Sequence, residues 1–147
     1  MAKPRAVLDQ VNVVVGDMKA SADFYRRLGV EIAEPQPDDS HLNGSTTNDV
    51  SLDLDTAKFA PFWNKSWARR SDLVGRTVIG FALETREAVD STHADMVAAG
   101  YRSLQPPWDA FWGARYAIIE DPNGVAVGLM SPSDPAKRYW PPEGWKD

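Results

Sequence analysis

The chain has 147 residues, 43% of them hydrophobic, which is enough to bury the core of one domain or of two small halves that share a core. Its formal net charge of −5 argues against nucleic-acid binding, because proteins that bind phosphate backbones present basic surfaces. The absence of cysteine excludes disulfides and thiolate metal sites.

The sequence shows no sign of a membrane protein or of a secreted one. It opens with MAKPRAV, which lacks the apolar region of a secretory signal peptide, and no later apolar run approaches the length of a transmembrane helix. We therefore expect a cytoplasmic protein that does not interact with membranes or nucleic acids.

The first half of the chain predicts a strand, a helix and three further strands. Alternation predicts the first strand at Val7–Val15. Asp17 is a good N-cap for a helix over Met18–Leu28 with the apolar stripe Ala20, Phe24, Tyr25 and Leu28, and Gly29 ends it. The further strands are predicted at Val30–Ala33, Ser40–Asn43 and Val50–Asp55.

The second half repeats this order. A strand is predicted at Thr77–Leu83, and Thr85 caps a helix over Arg86–Ala99 with the stripe Val89, His93 (or Thr92), Met96 and Val97. A strand at Tyr101–Leu104 is followed by an aromatic loop, Gln105–Gly113. The last two strands, joined by a tight turn of sequence Asp-Pro-Asn-Gly, are predicted at Ala114–Glu120 and Val125–Met130.

The repeat indicates two modules within one domain of residues 1–147. Module one covers about 7–55 and module two about 76–132. An aromatic connecting loop at 56–75 joins them, and a proline-rich tail follows at 133–147. Because a one-sided sheet with a single helix cannot bury its apolar face alone, we expect the two sheets to pair with the helices outside.

Two motifs, VNVVVGDMKASADFYRRLG and WGARYAIIEDPNGVAVGLMSP, resemble the vicinal oxygen chelate superfamily, which includes glyoxalase I, extradiol dioxygenases and bleomycin resistance proteins. The resemblance covers residues 7–132. It implies an α+β fold in which two βαβββ modules form a cupped half-barrel of mixed sheet with the helices outside.

Enzymes of the superfamily hold a divalent metal on side chains from the first and last strands of each module. By the resemblance these positions are Gln10, Asp53, Val78 and Gly128. Val78 cannot ligate a metal and Gly128 has no side chain, so two oxygen donors remain where a catalytic site needs three or more protein ligands. We therefore expect no cofactor. The alternative is a divalent cation bound weakly by Gln10 and Asp53.

Metal-free members of the superfamily are binders. Small residues on the inward faces of the second-module strands leave a space that a ligand or loop aromatics must fill. Bleomycin resistance proteins hold a bulky cationic drug at a dimer interface, so the resemblance implies a homodimer with an aromatic or cationic ligand. The candidate ligand-binding residues are Gln10, Asn12, Asp53, Trp63, Trp67, Trp108, Phe111, Trp112, Arg115 and Met130.

Some of these residues have alternative roles. Arg115 can position an anionic group of a ligand or pair with Asp109 or Glu120. Asp53 can line the cup or face water at an open edge. His41 lacks a nearby His or Cys, which makes it a poor metal ligand.

Three functions stay open at this point. The first is a metal-independent small-molecule binding protein of the bleomycin-resistance type, which sequesters its ligand without transforming it. The second is a metal-dependent lyase, isomerase or dioxygenase, so the sequence leaves open whether the protein is an enzyme. The third is a protein-interaction module whose cup is filled by its own aromatic side chains. The sequence identifies neither the ligand nor a role in antibiotic resistance.

Overall fold

The computed structural model describes Leu8, residues 10–63 and residues 77–140. The chain divides into two compact units, Met1–Arg70 and Ser71–Asp147. Both units combine helices with strands, so the predicted α+β class is confirmed. Within the described residues, no helix has the length and apolar character needed to cross a membrane.

The first unit has two small sheets. Strand β1 runs parallel to β5, and β3 runs antiparallel to the other edge of β5, which gives the order β1-β5-β3. The short strands β2 and β4 form a separate antiparallel pair. In chain order the elements are β1 (Gln10–Val15), α1 (Met18–Arg27), β2 (Glu31–Ile32), β3 (His41–Leu42), β4 (Gly44–Ser45), β5 (Ser51–Thr56) and α2 (Ala60–Trp63).

Helix α1 begins and ends where the sequence predicts, to within one residue. The side chain of Asp17 accepts a hydrogen bond from the backbone N–H of Ala20, and Gly29 follows the helix with a φ of +97°. Phe24 and Tyr25 are fully buried, as the apolar stripe requires. The other two predicted stripe residues, Ala20 and Leu28, are only half-buried.

The second unit is one four-stranded sheet with the order β6-β9-β8-β7, in which β6 and β9 are parallel and the other pairs are antiparallel. This is the predicted βαβββ order. The elements are β6 (Val78–Ala82), α3 (Arg86–Ala98), β7 (Ser103–Asp109), β8 (Arg115–Glu120), β9 (Ala126–Met130) and a 3-10 helix (Pro135–Lys137).

Two predictions for the second unit are wrong. Strand β7 extends to Asp109, so Trp108 lies on a strand rather than in a loop. Prolines are tolerated there because β7 is the edge strand, and its pairing with β8 shifts register on both sides of Gln105. Val97, predicted in the buried stripe of α3, is 43% exposed, whereas Val89 and Met96 are fully buried.

The turn between β8 and β9 is organised by the buried side chain of Asp121. Its Oδ1 accepts hydrogen bonds from the backbone N–H groups of Asn123, at 2.7 Å, and Val125, at 2.9 Å. Gly124 alone among these turn residues has a positive φ, of +86°. The turn therefore fixes the register of β8 against β9, which positions the cavity described below.

Gly44 in β4 provides a test of the packing in the first unit. A Cβ at this position would clash with the carbonyl oxygen of Leu52 and lie 3.0 Å from a methyl of Val30. We expect Gly44→Ala to destabilise the protein by about 1–3 kcal/mol, the usual cost of overpacking a core.

Thermal unfolding of Gly44→Ala and of Gly16→Ala measures this effect. Gly16 is the matched control, because a Cβ there would meet nothing within 4 Å. Equal midpoints for the two variants would contradict the packing seen around Gly44.

Candidate functional site

Polar side chains of β1 and β5 pair with one another in the first unit. The register places Asn12 opposite Asp53, and Gln10 opposite Ser51. Gln10 Nε2 donates to Asp53 Oδ2 at 2.6 Å, and Asn12 Nδ2 donates to Asp55 Oδ2 at 2.5 Å. The two carboxylates are 4% and 1% exposed, so neither faces water, and each has a hydrogen-bond donor that offsets the cost of its burial.

His41 completes this polar network. Its Nδ1 lies 2.6 Å from Asp55 Oδ1, and its Nε2 lies 2.8 Å from Asn43 Oδ1. Partial burial lowers the pKa of His41, but the hydrogen bonds to Asn43 and Asp55 and the charges of Asp55 and Asp53 together raise the pKa above its ordinary value. Both ring nitrogens face oxygen acceptors, which is the arrangement that suits a protonated imidazole.

The four positions at which the resemblance would place metal ligands lie two in each unit. In the first unit, Gln10 and Asp53 are bonded to each other. In the second unit, Val78 has no donor atom, and the ring of Tyr116 covers Gly128. The described residues contain no group of three or more His, Asp or Glu side chains placed to hold a metal ion.

An aromatic cluster lies in the second unit around the end of β7 and the start of β8. Trp112 is at its centre, with ring centroids 5.7 Å from Trp108, 5.0 Å from Phe111 and 5.2 Å from Tyr116, all in edge-to-face arrangements. Phe111 also contacts Trp140, at 5.6 Å. The indole N–H of Trp108 is buried without a hydrogen-bond partner among the described residues.

The tail holds the backbone of this cluster in place. Arg138 Nε donates to the carbonyl oxygen of Trp112 at 3.2 Å, and the side chain of Ser133 donates to the same oxygen. The backbone N–H of Tyr139 donates to the carbonyl oxygen of Phe111 at 3.0 Å. Residues 133–140 therefore pack against residues 109–113 of their own unit.

Arg115 is held in ion pairs. Its guanidinium lies 2.8 Å from Asp90 and 3.2 Å from Asp109, and Arg86 also pairs with Asp109. The hydrogen bond to Asp90 is the main reason that the pKa of Arg115 is raised. Of the two roles predicted for Arg115, pairing with Asp109 is confirmed, and this pairing leaves the arginine little freedom to bind an anion.

A cavity of about 360 Å³ lies on one face of the second unit's sheet. None of the described residues that line it is charged. Two hydrogen-bonding groups of side chains are present, the indole N–H of Trp112, which donates to Met130 Sδ at 3.3 Å, and the hydroxyl of Tyr116. The lining residues are Val78, Gly80, Phe81, Ala82, Trp112, Tyr116 and Met130.

Two paired glycines shape the floor of this cavity. Gly80 on β6 lies opposite Gly128 on β9. A Cβ on Gly128 would lie 3.0 Å from the hydroxyl oxygen of Tyr116, whereas a Cβ on Gly80 would meet nothing within 4 Å. One glycine therefore makes room for a tyrosine ring, and the other faces open space.

A larger depression of about 550 Å³ lies in the first unit beside the end of α1. Its charged lining residues include Arg26, whose guanidinium pairs with Glu34 at 2.5 Å. No aromatic side chain is among its described lining residues. We therefore regard the smaller cavity of the second unit as the better candidate for a ligand site.

The structure brings only some of the predicted ligand-binding residues together. Trp112 and Met130 line the cavity, while Trp108 and Phe111 contact the ring of Trp112 and are not among the lining residues. Trp63, at the end of α2, is 47% exposed, and Trp67 lies outside the described residues.

Sequence reasoning missed Tyr116 and Phe81 as lining residues. The signal for Tyr116 is present in the hairpin: counting back from the Asp-Pro-Asn-Gly turn pairs Tyr116 with Met130, a predicted ligand-binding residue. Phe81 lies between Gly80 and Ala82 on the same strand, so a pattern of period two assigns it to the face opposite to theirs. It nevertheless lines the same cavity.

Comparison with known proteins identifies the family. The sequence model of the Glyoxalase/Bleomycin resistance protein/Dioxygenase superfamily matches residues 7–129. No curated protein sequence matches the chain significantly.

Solved structures similar to the chain share its fold at low sequence identity. One is a glyoxalase/bleomycin resistance protein/dioxygenase from Nocardioides, with 23% identity, a TM-score of 0.71, and coverage of 91% of this chain and 88% of that one. Another is a glyoxalase/bleomycin resistance protein/dioxygenase family enzyme from Burkholderia phytofirmans PsJN, with 19% identity, a TM-score of 0.73, and coverage of 86% and 98%. A third is a glyoxalase-related enzyme from Fulvimarina pelagi, with 18% identity, a TM-score of 0.71, and coverage of 86% and 88%.

The chain's two histidines give an internal test of the polar network. We expect NMR titration to give His41 a pKa above 6.5, because Asn43 and Asp55 stabilise its protonated form. His93 should titrate below 6.5, because burial disfavours its charge and the nearby Asp90 only partly offsets this. The stabilisation from the His41–Asp55 pair is then complete below pH 6.5 and is lost as the pH rises through the raised pKa.

Asp55→Asn is the matched variant for this titration. It should lower the pKa of His41 toward its ordinary value and leave that of His93 unchanged, which also reports that the fold is intact. A His41 pKa at or below that of His93 in the unsubstituted protein would contradict the network.

Proposed function

This chain belongs to the Glyoxalase/Bleomycin resistance protein/Dioxygenase superfamily, and we propose that it is a metal-independent protein that binds a small aromatic ligand. The observation that carries the proposal is the cavity in the second unit, with its aromatic wall and the open space above Gly80. The ligand is bound and sequestered there rather than transformed.

The size and chemistry of the cavity support a small planar ligand. A volume of about 360 Å³ is within the range of small-molecule sites. The side chains of Val78, Ala82 and Met130 provide apolar contacts, and the rings of Trp112 and Tyr116 provide surfaces against which a planar ring can pack. These two rings are held edge-to-face, so the wall is organised before a ligand arrives.

The residues that line the cavity bear on the charge of the ligand. Aromatic faces attract cations, so the aromatic wall alone is compatible with the cationic ligand that the sequence also predicts. However, none of the described lining residues is acidic, and transferring an unpaired charge to an apolar site is costly. We therefore favour a neutral aromatic ligand over a cationic one.

The absence of a ligand set supports metal independence. Val78 and Gly128 provide no donor atom, which leaves two side chains with oxygen donors, Gln10 and Asp53, joined by a hydrogen bond from Gln10 Nε2 to Asp53 Oδ2. A metal-dependent lyase, isomerase or dioxygenase would need other ligands than these four positions provide. One bound metal ion per chain, after purification without added metal, would favour such an enzyme.

The proposal also includes a homodimer in the cytoplasm, as the resemblance to bleomycin resistance proteins implies. Sequestration of a toxic aromatic compound, such as an antibiotic, is the biological role that fits binding without chemistry. Light scattering coupled to size exclusion tests the dimer independently of any ligand.

Filling the open space above Gly80 should block binding. We expect Gly80→Val to weaken the binding of a planar probe by at least about tenfold, because the new side chain occupies the volume that the probe needs. Stability should not fall, since a Cβ at Gly80 meets nothing within 4 Å and valine suits a strand.

Equilibrium dialysis with three bicyclic probes of similar size measures this effect: naphthalene, quinoline and the cation N-methylquinolinium. Gly16→Val is the control, because Gly16 also has free space but does not line the cavity. Failure of all three probes to bind the unsubstituted protein, or equal binding to Gly80→Val, would contradict the proposed function. Preferential binding of the cation would contradict the choice of a neutral ligand.

A further inference from the structure

We infer that the hydroxyl of Tyr116 selects the ligand by donating a hydrogen bond to an acceptor atom on a neutral planar ring system, such as a ring nitrogen or a carbonyl oxygen. This inference rests on the proposed function and deepens it. It assigns a specificity-determining residue and narrows the ligand class to neutral aromatic compounds that carry a hydrogen-bond acceptor.

The ring of Tyr116 has a defined position on the sheet. Tyr116 lies opposite Met130 in the register of β8 and β9, and its side chain extends over Gly128, two residues earlier on β9. The hydroxyl oxygen and Cε2 lie 3.0 and 3.1 Å from the point where a Cβ of Gly128 would stand. With Trp112 packed against it at 5.2 Å, the ring is supported by the glycine beneath it and by the indole beside it.

The hydroxyl lies next to the open part of the cavity. Gly80 is the register partner of Gly128 on β6, and neighbouring strands are about 4.8 Å apart. A Cβ on Gly80 would meet no atom within 4 Å. The phenolic oxygen is therefore at the boundary between the covered glycine and the open one, within hydrogen-bonding reach of a molecule above Gly80.

The hydroxyl is also the free hydrogen-bonding group of the lining. No hydrogen bond joins it to another group in the described part of the chain. The indole N–H of Trp112 is engaged with Met130 Sδ, and Val78, Gly80, Phe81 and Ala82 have no polar side chain. The backbone N–H and C=O groups of β6 and β9 lie in the plane of the sheet rather than pointing toward the cavity.

The protonation state of Tyr116 fixes the chemistry that it offers. Burial raises the pKa of its phenol above the ordinary value of 10, so the group is protonated and neutral near pH 7. A neutral phenol donates one hydrogen bond, and an apolar lining strengthens that bond relative to water. A ligand with an acceptor atom facing Tyr116 should therefore bind more tightly than a hydrocarbon of the same shape.

The test compares quinoline with naphthalene, which have the same bicyclic shape and differ by one acceptor nitrogen. The two probes differ in the free energy that each needs to leave water, but this difference is the same for every variant of the protein. The change in the ratio of their dissociation constants between the unsubstituted protein and Tyr116→Phe therefore isolates the hydroxyl, as in a double-mutant cycle.

We expect Tyr116→Phe to weaken the binding of quinoline relative to that of naphthalene by about three- to tenfold, which is the contribution of one net hydrogen bond. The affinity for naphthalene itself should change little. Tyr101→Phe is the control, because it removes a hydroxyl from a residue that does not line the cavity, and it should leave the ratio unchanged.

A second measurement does not depend on affinity. The ¹⁵N chemical shift of bound [¹⁵N]quinoline reports hydrogen bonding to its nitrogen, and it should move toward the value of the free base in an apolar solvent when Tyr116 becomes phenylalanine. Gly128→Ala should produce part of the same change, because its methyl group displaces the hydroxyl without removing it.

The outcomes separate the inference from the proposed function. If both probes bind and neither their ratio nor the ¹⁵N shift responds to Tyr116→Phe, the cavity binds aromatic ligands but Tyr116 does not select them, and the inference is wrong. If only N-methylquinolinium binds the unsubstituted protein, the cavity binds aromatic ligands but the inference is wrong. If none of the three probes binds, the proposed function fails and the inference fails with it.

Discussion

The second unit depends on a pair of positions without side chains. Gly80 and Gly128 lie opposite each other on the parallel strands β6 and β9, so the sheet has a bare area two strands wide. A side chain of any size at Gly128 would meet Tyr116 and Val78, and one at Gly80 would enter the open space. The open part of the cavity and the position of Tyr116 both depend on this bare area.

The first unit depends instead on hydrogen bonds to two buried carboxylates. Its sheet carries buried carboxylates at Asp53 and Asp55, which would be costly without partners. Amide side chains of β1 and the imidazole of His41 satisfy them, with donor–acceptor distances of 2.5–2.6 Å. A network that satisfies itself stabilises one arrangement of its members and leaves little hydrogen-bonding capacity for a ligand, whereas the second unit leaves a phenol free beside an open space.

Much of the fold can be predicted from the sequence because it depends on local signals. Asp17 and Thr85 cap their helices, Gly29 and Gly100 follow them with positive φ, and strand alternation identifies β1, β5, β6, β8 and β9 to within a few residues. The extension of β7 through two prolines could not be predicted, because it depends on the position of β7 at the edge of the sheet and on its irregular pairing with β8.

The candidate site is less predictable, since side-chain partners depend on contacts between strands. Met130 and Trp112, which the sequence predicts to bind a ligand, line the cavity, but the sequence does not show that Arg115 is paired with Asp90. It also treats Asp53 as a free oxygen donor, although Gln10 and the backbone of Gly44 occupy its carboxylate. In each case the sequence shows which chemical groups the residue has. The hydrogen-bond or ion-pair partner that decides its role lies on another element of the fold.

One constraint links the loss of a metal ligand with the proposed specificity. The resemblance assigns a metal-binding role in enzymes to the position of Gly128, and a residue without a side chain cannot fill that role. The same lack of a side chain lets the ring of Tyr116 lie across β9 and brings its hydroxyl to the edge of the cavity. At Gly128, therefore, a side chain long enough to ligate a metal would have to displace the observed ring of Tyr116, so the position of the tyrosine hydroxyl depends on the glycine.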